Sequence, residues 1–249
     1  MFGTSVEAAA RAHAAAEYPR ESCGIVVAGE YVPCENLARD PLQHFKIDED
    51  LLLGAGDQLQ AMIHSHPDGP RHPSMQDMQG QIDWRVPWGI ICSWPEGITD
   101  APFWWGDTVP RPPLYQRGFR WGITDCYSLI RDWFHLHHGF LPPDFPRDWG
   151  EWQEDPPRVG YLENYQAGGF VDLGPITKHL LSQVRPGDLP IMRIRSKVPN
   201  HGGIIDLDGQ LLQHQAWDSP VELSRMPILQ PAGRYLPHVT NILRHRSLA

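Results

Sequence analysis

The chain has little of what marks a membrane-spanning, secreted or nucleic-acid-binding protein. No apolar run approaches the ~20 residues needed to cross a bilayer. Its beginning lacks a cationic stretch followed by an apolar core; residues 6–16 read instead as a short alanine-rich helix carrying Glu7, Arg11 and His13. Synthesis in the cytoplasm is expected, or export by a route that needs no leader. Cysteine is sparse, and Cys23, Cys34, Cys92 and Cys126 form no CxxC pair, which disfavours both a disulfide framework and a cysteine zinc site. Positive charge is also short, with 21 Lys and Arg against 30 Asp and Glu, a net charge of -9 and no basic tail. Nucleic acid is therefore not an expected partner.

Turn-forming residues are plentiful. The 23 glycines and 25 prolines among 249 residues favour short strands and loops over a helical bundle, while an apolar content of 41% can build a substantial core. The length suits one large domain or two of modest size. From residue 5 to about residue 108 the pattern reads as a helix, strands at 24–28 and 31–36, a looped acidic segment, a helix at 74–84 and a strand at 88–93. Such alternation predicts a mixed α/β domain with a central sheet. Three prolines then crowd into six residues, so 108–117 is the expected linker between residues 1–107 and 118–249.

The richest stretch is 62–77, Met-Ile-His-Ser-His-Pro-Asp-Gly-Pro-Arg-His-Pro-Ser-Met-Gln-Asp. If 63–66 is extended, His64 and His66 project from one face, which suits two imidazole ligands on one metal. Pro67 and Gly69 end the strand, and Ser74 reads as a helix N-cap with Asp77 in the first turn. Two histidines and an aspartate, with a fourth position left for water, form the ligand set of a catalytic zinc. Ser74 and Asp77 also read as an ordinary capping box, and the two roles are compatible.

This spacing resembles the signature of the JAMM (MPN+) metallopeptidases. The resemblance implies that His64, His66 and Asp77 hold zinc and that Ser74 stabilises an oxyanion. It also implies that Glu21, in the segment Tyr-Pro-Arg-Glu-Ser-Cys-Gly-Ile at 18–25, acts as general base. Taken alone, Glu21 is an exposed acid next to a buried cysteine, and nothing local marks it as catalytic.

A second centre is expected after the linker. Residues 121–133 read as a helix start followed by an amphipathic helix with Leu129, Ile130, Trp133 and Phe134 on a common side. With Thr124 as N-cap, Cys126 lies in the first turn, where free amides and the helix dipole lower a thiol's pKa. His135, His137 and His138 fit the far end of the same helix. The ten tryptophans read chiefly as core and loop packing, and Trp149 and Trp152, in a proline-rich segment, are the candidates for contact with a polymer.

Together with Asn-His-Gly-Gly-Ile-Ile at 200–205, the Asp-Cys helix start resembles the NlpC-type cysteine peptidases. That resemblance implies a papain-like C-terminal domain with Cys126 as nucleophile and His201 as base, forming an ion pair poised to attack an amide. For the third polar residue, a two-residue turn at Asp208-Gly209 would bring His214 to the face of His201, and a three-residue turn with a glycine bulge would bring Gln213. The family register implies Gln213.

A JAMM-like domain joined to an NlpC-like domain resembles the tail-tip assembly proteins of long-tailed phages. This implies a zinc-dependent peptidase and a cysteine endopeptidase acting on bacterial peptidoglycan peptides, with other tail-tip proteins as partners. It further implies a location in the host cytoplasm during assembly and then at the virion tail tip. A chiefly structural tail-tip protein that keeps both folds as docking modules is the alternative. A cellular wall-remodelling enzyme is a third reading, disfavoured by the missing leader.

Overall fold

The computed structural model describes residues 1–248 and divides into two compact units, Met1–Pro110 and Arg111–Ala249. In the first, α1 (Thr4–Glu17) precedes β1 (Cys23–Val27), β2 (Glu30–Cys34), α2 (Glu49–Ala55), β3 (Leu59–Pro67), α3 (Met75–Trp84), β4 (Trp88–Ser93) and β5 (Phe103–Trp105). The five strands form one sheet in the order β2-β1-β3-β4-β5. Only β3 and β4 run parallel, the pair joined through α3, as a parallel connection requires.

One face of this sheet packs on α1. Val6, Ala10 and Ala14, spaced four apart along the helix, meet Val26, Ala61, Ile63 and Ile91 from three adjacent strands. Because side chains alternate along β3, burying Ala61 and Ile63 against α1 turns Met62, His64 and His66 to the opposite face. Two elements were missed in sequence. The acidic loop contains α2, begun by Asp48 accepting from Asp50 N with Glu49 and Asp50 in its first turn, and β5 extends the sheet.

The second unit continues with β6 (Phe119–Arg120), α4 (Cys126–His138), α5 (Gly160–Asn164), β7 (Phe170–Asp172), α6 (Lys178–Leu181), β8 (Leu189–Met192), β9 (His201–Gly202), β10 (Ile204–Ile205), β11 (Leu211–Gln213), β12 (Val221–Glu222), β13 (Ile228–Gln230) and β14 (Val239–His245). One sheet has the order β7-β14-β8-β9, a second β10-β11-β13, and β12 pairs with β6. The apolar stripe of α4, Leu129, Ile130, Trp133 and Phe134, is fully buried against Leu189, Ile191, Ile204, Leu212 and Leu243. The expected linker is partly absorbed by this unit: Leu114 joins its core, and Arg117 is buried, bonding Asp132 and the Pro113 carbonyl.

Candidate active sites

In the first unit, β3 supplies two imidazoles and the start of α3 supplies a carboxylate. His64 Nε2 stands 3.1 Å from His66 Nε2 and 3.1 Å from Asp77 Oδ1, and His66 Nε2 is 3.4 Å from Asp77 Oδ2. The three donor atoms lie within 4.8 Å of one another, and all three residues are buried. His66 Nδ1 donates to the Pro70 carbonyl at 2.8 Å, so in the neutral ring Nε2 keeps its lone pair and faces its partners as an acceptor. Phe45 stacks on His64 with ring centroids 4.4 Å apart and fixes that imidazole's plane. Two imidazole nitrogens and a buried carboxylate aimed at one point carry a net negative charge, and a cation fits them.

Ser74 caps α3 and forms a full capping box with Asp77: its backbone N–H and its hydroxyl both donate to Asp77 Oδ2 at 2.7 Å, and its Oγ accepts from Asp77 N at 3.1 Å. Burial works to raise the Asp77 carboxyl, but His64 and His66 outweigh it and hold the group well below the usual range.

Glu21 is not the exposed acid its local sequence suggested. It is 7% exposed and lines the same cavity as His66, Ser74 and Asp77, a space of about 870 Å³. Burial pushes its carboxyl up to about 7, His66 pulls it down, and Asp77 adds to the rise. What brings it there is a reciprocal pair of bonds between its neighbour Ser22 and Ser65, which sits between the two histidines. Neither that pair, nor Phe45, nor the Pro70 carbonyl has a signal in sequence spacing.

In the second unit Cys126 opens α4, but its N-cap is Asp125 rather than Thr124. Asp125 accepts from Ser128 N at 2.9 Å, while Thr124 Oγ1 donates to the Gly118 carbonyl. Cys126 and His201 line one cavity of about 340 Å³. The turn after β10 has three residues: Asp206 N donates to Gln210 O, and Gly209 takes φ +80°. Gln213 thereby meets His201, with His201 Nε2 donating to Gln213 Oε1 at 2.8 Å, which leaves Nδ1 as the basic nitrogen. His214, which lines the same cavity, bonds the Arg225 carbonyl instead.

The electrostatics of this centre work against the expected ion pair. Burial, reinforced by Asp125, pushes the Cys126 thiol up to about 11 in spite of its place at the helix start, and burial lowers His201 to about 4. Both shifts favour the neutral thiol and the neutral imidazole over the charged pair. Asp125 itself is fully buried and held by Arg147, which also bonds Asp144 and Ser128 Oγ. Trp149 and Trp152 are half-buried beside Trp121, their ring centroids 5.2 and 5.7 Å from it, and all three border the Cys126 cavity. The histidines at 135, 137 and 138 occupy the last turn of α4, before Gly139 at φ +74°.

Residues 3–105 match the family described as prokaryotic homologs of the JAB domain. The chain is 35% identical to the tail tip assembly protein K of Escherichia phage N15 over 215 residues, covering 83% of this chain and 82% of that protein. Against the tail tip assembly protein K of Escherichia phage lambda, identity is 34% over 194 residues, covering 76% and 83%. The chain is also 36% identical, over 92 residues, to a probable TtuB-protein conjugate cleaving protease of Thermus thermophilus, covering 32% of this chain and 62% of that protein.

Proposed function

The chain belongs to the family of tail tip assembly proteins K, and from that premise we propose a tail-tip component with two peptidase centres, assembled with other tail proteins in the host cytoplasm and carried to the virion tip. The C-terminal centre, Cys126, His201 and Gln213, is an endopeptidase for the peptides of bacterial peptidoglycan. His201 Nδ1 takes the thiol proton and later returns it to the leaving amine, while Gln213 holds the ring in the tautomer that leaves Nδ1 free. The observation carrying this reading is the Gln213–His201 bond beside a cavity that Cys126 also lines.

The N-terminal centre is a peptidase or isopeptidase. His64, His66 and Asp77 would hold zinc, a donor set of two nitrogens and one oxygen that suits this metal. Bound there, zinc supplies Lewis acidity and a water with a pKa near about 7. Glu21, poised close to neutrality, accepts a proton in the cavity and passes it to the leaving amine. Ser74 serves the oxyanion by turning its hydroxyl away from Asp77 Oδ2.

Digestion of purified peptidoglycan by wild type, Cys126→Ala and Glu21→Ala, with fragments identified by mass spectrometry, tests the thiol centre and separates it from the metal centre. Loss of stem-peptide cleavage only in Cys126→Ala is the expected result. A second reading, in which both folds act as docking modules of the tail tip, draws on the burial and neutrality of the Cys126 thiol. It predicts no cleavage by folded, zinc-loaded wild type.

A further inference from the structure

Tyr161, on α5, stands apart from every role assigned above. Its hydroxyl oxygen is fully buried and has no well-formed hydrogen bond, yet the phenol lies against the Cys126 thiol, the two side chains lining a common crevice. Buried phenols ordinarily find an acceptor, and one left without incurs a desolvation penalty. The ring is held by Tyr127 and Phe145, with centroids 5.8 and 6.5 Å away. Gly202, next to His201, admits it: a Cβ there would fall 2.6 Å from Tyr161 Cζ and 2.7 Å from its hydroxyl. The Gly202 backbone also faces Cys126 and favours its ionised form. Phenol and backbone thus converge on one sulfur.

We propose that Tyr161 is a further catalytic residue, whose hydroxyl donates to the Cys126 thiolate when the proton leaves the sulfur. This rests on the thiol-centre reading above. A neutral thiol is a weak acceptor and a thiolate a strong one, so a loose contact at rest tightens when the negative charge forms. Transfer of the Cys126 proton to His201 Nδ1 leaves the electron pair on Sγ, and the Tyr161 O–H stabilises it without giving up its own proton. Burial and the neighbouring thiol hold the phenol well above its ordinary pKa, so that proton is always present.

The test is alkylation of Cys126 by iodoacetamide at neutral pH in the full folded chain, read by mass spectrometry of the Cys126 peptide, in wild type, Tyr161→Phe and Gly202→Ala. The donor role predicts roughly tenfold slower alkylation in Tyr161→Phe, the worth of one charge-assisted hydrogen bond, with a thermal midpoint unchanged or raised because the contact removed is loose at rest. Gly202→Ala, which forces the ring aside, should slow the reaction similarly. Alkylation equal to or faster than wild type overturns the proposal, as does a lowered midpoint in Tyr161→Phe, which would reveal a structural partner. A wild-type Cys126 that never alkylates while folded overturns both the donor and the centre. Slow alkylation in Tyr161→Phe together with no wall digestion by wild type keeps the donor and removes the peptidase.

Discussion

Ser22 and Ser65 hold each other by two bonds: Ser22 N donates to Ser65 Oγ at 2.8 Å, and Ser65 N donates to the Ser22 carbonyl at 2.9 Å. Ser65 is fully buried between His64 and His66, and Ser22 follows Glu21, so this pair is where the acid just before β1 is registered to the donors on β3. Ser65→Ala leaves the Ser22 N–H buried without its acceptor. The expected loss is about 1–3 kcal/mol, read by chemical denaturation, with metal content retained and any peptidase activity of the first unit reduced through Glu21. Unchanged stability would show that the hydroxyl does not hold the strand.

Ser74 and Asp77 separate capping from cation binding. Ser74→Ala removes one cap acceptor and should lower stability by about 1 kcal/mol while zinc still binds. Asp77→Ala removes a donor as well and should lower metal content measured by mass spectrometry. Full metal retention in Asp77→Ala would count against this site.

Cys126→Ala should leave zinc content unchanged and abolish peptide release from peptidoglycan. Equal release by the variant would reject Cys126 as the nucleophile.

Acid should weaken the second unit through His201. Its folded pKa, near 4, lies below the unfolded value of about 6.5. Below the unfolded value the unfolded chain takes up a proton that the folded chain refuses, so the contribution is complete above pH ~6.5 and is lost as pH falls towards ~4, by about 3 kcal/mol at most. A His201→Asn variant should lose that part of the pH dependence in urea titrations. An identical pH profile in variant and wild type would rule it out.

Arg147 neutralises Asp125 at the helix start through contacts of 2.7 and 3.1 Å, both residues buried. Arg147→Met would strand the carboxylate and should destabilise by about 3–5 kcal/mol. Much of that should return in the double variant with Asp125→Asn, so a double-mutant cycle reads the coupling; simple additivity would deny it.

The geometry of the candidate metal site was readable because it is local: period-two alternation put His64 and His66 on one face, and a Ser-x-x-Asp start put Asp77 in the first turn of α3. The buried position of Glu21 was not, since it follows from a bond to a residue 43 positions away. The state of Cys126 escaped for a like reason. A helix-start cysteine suggests a lowered pKa, but the burial that outweighs this comes from segments distant in the chain. Turn length after β10 also needed the structure, because Asp208-Gly209 permits either of two registers. Short elements such as α2 and β5 carry too few residues for periodicity to show.

Asp77 Oδ2 receives both donors of Ser74 and also approaches His66, so one oxygen serves the beginning of α3 and the candidate cation site together. With a cation bound there as proposed, loading and folding of the β3–α3 connection would be linked, and a chain that fails to acquire metal should expose residues 67–74 first. A cleavage-competent protease would then find the unloaded chains before the loaded ones, a form of quality control exercised before a tail is completed.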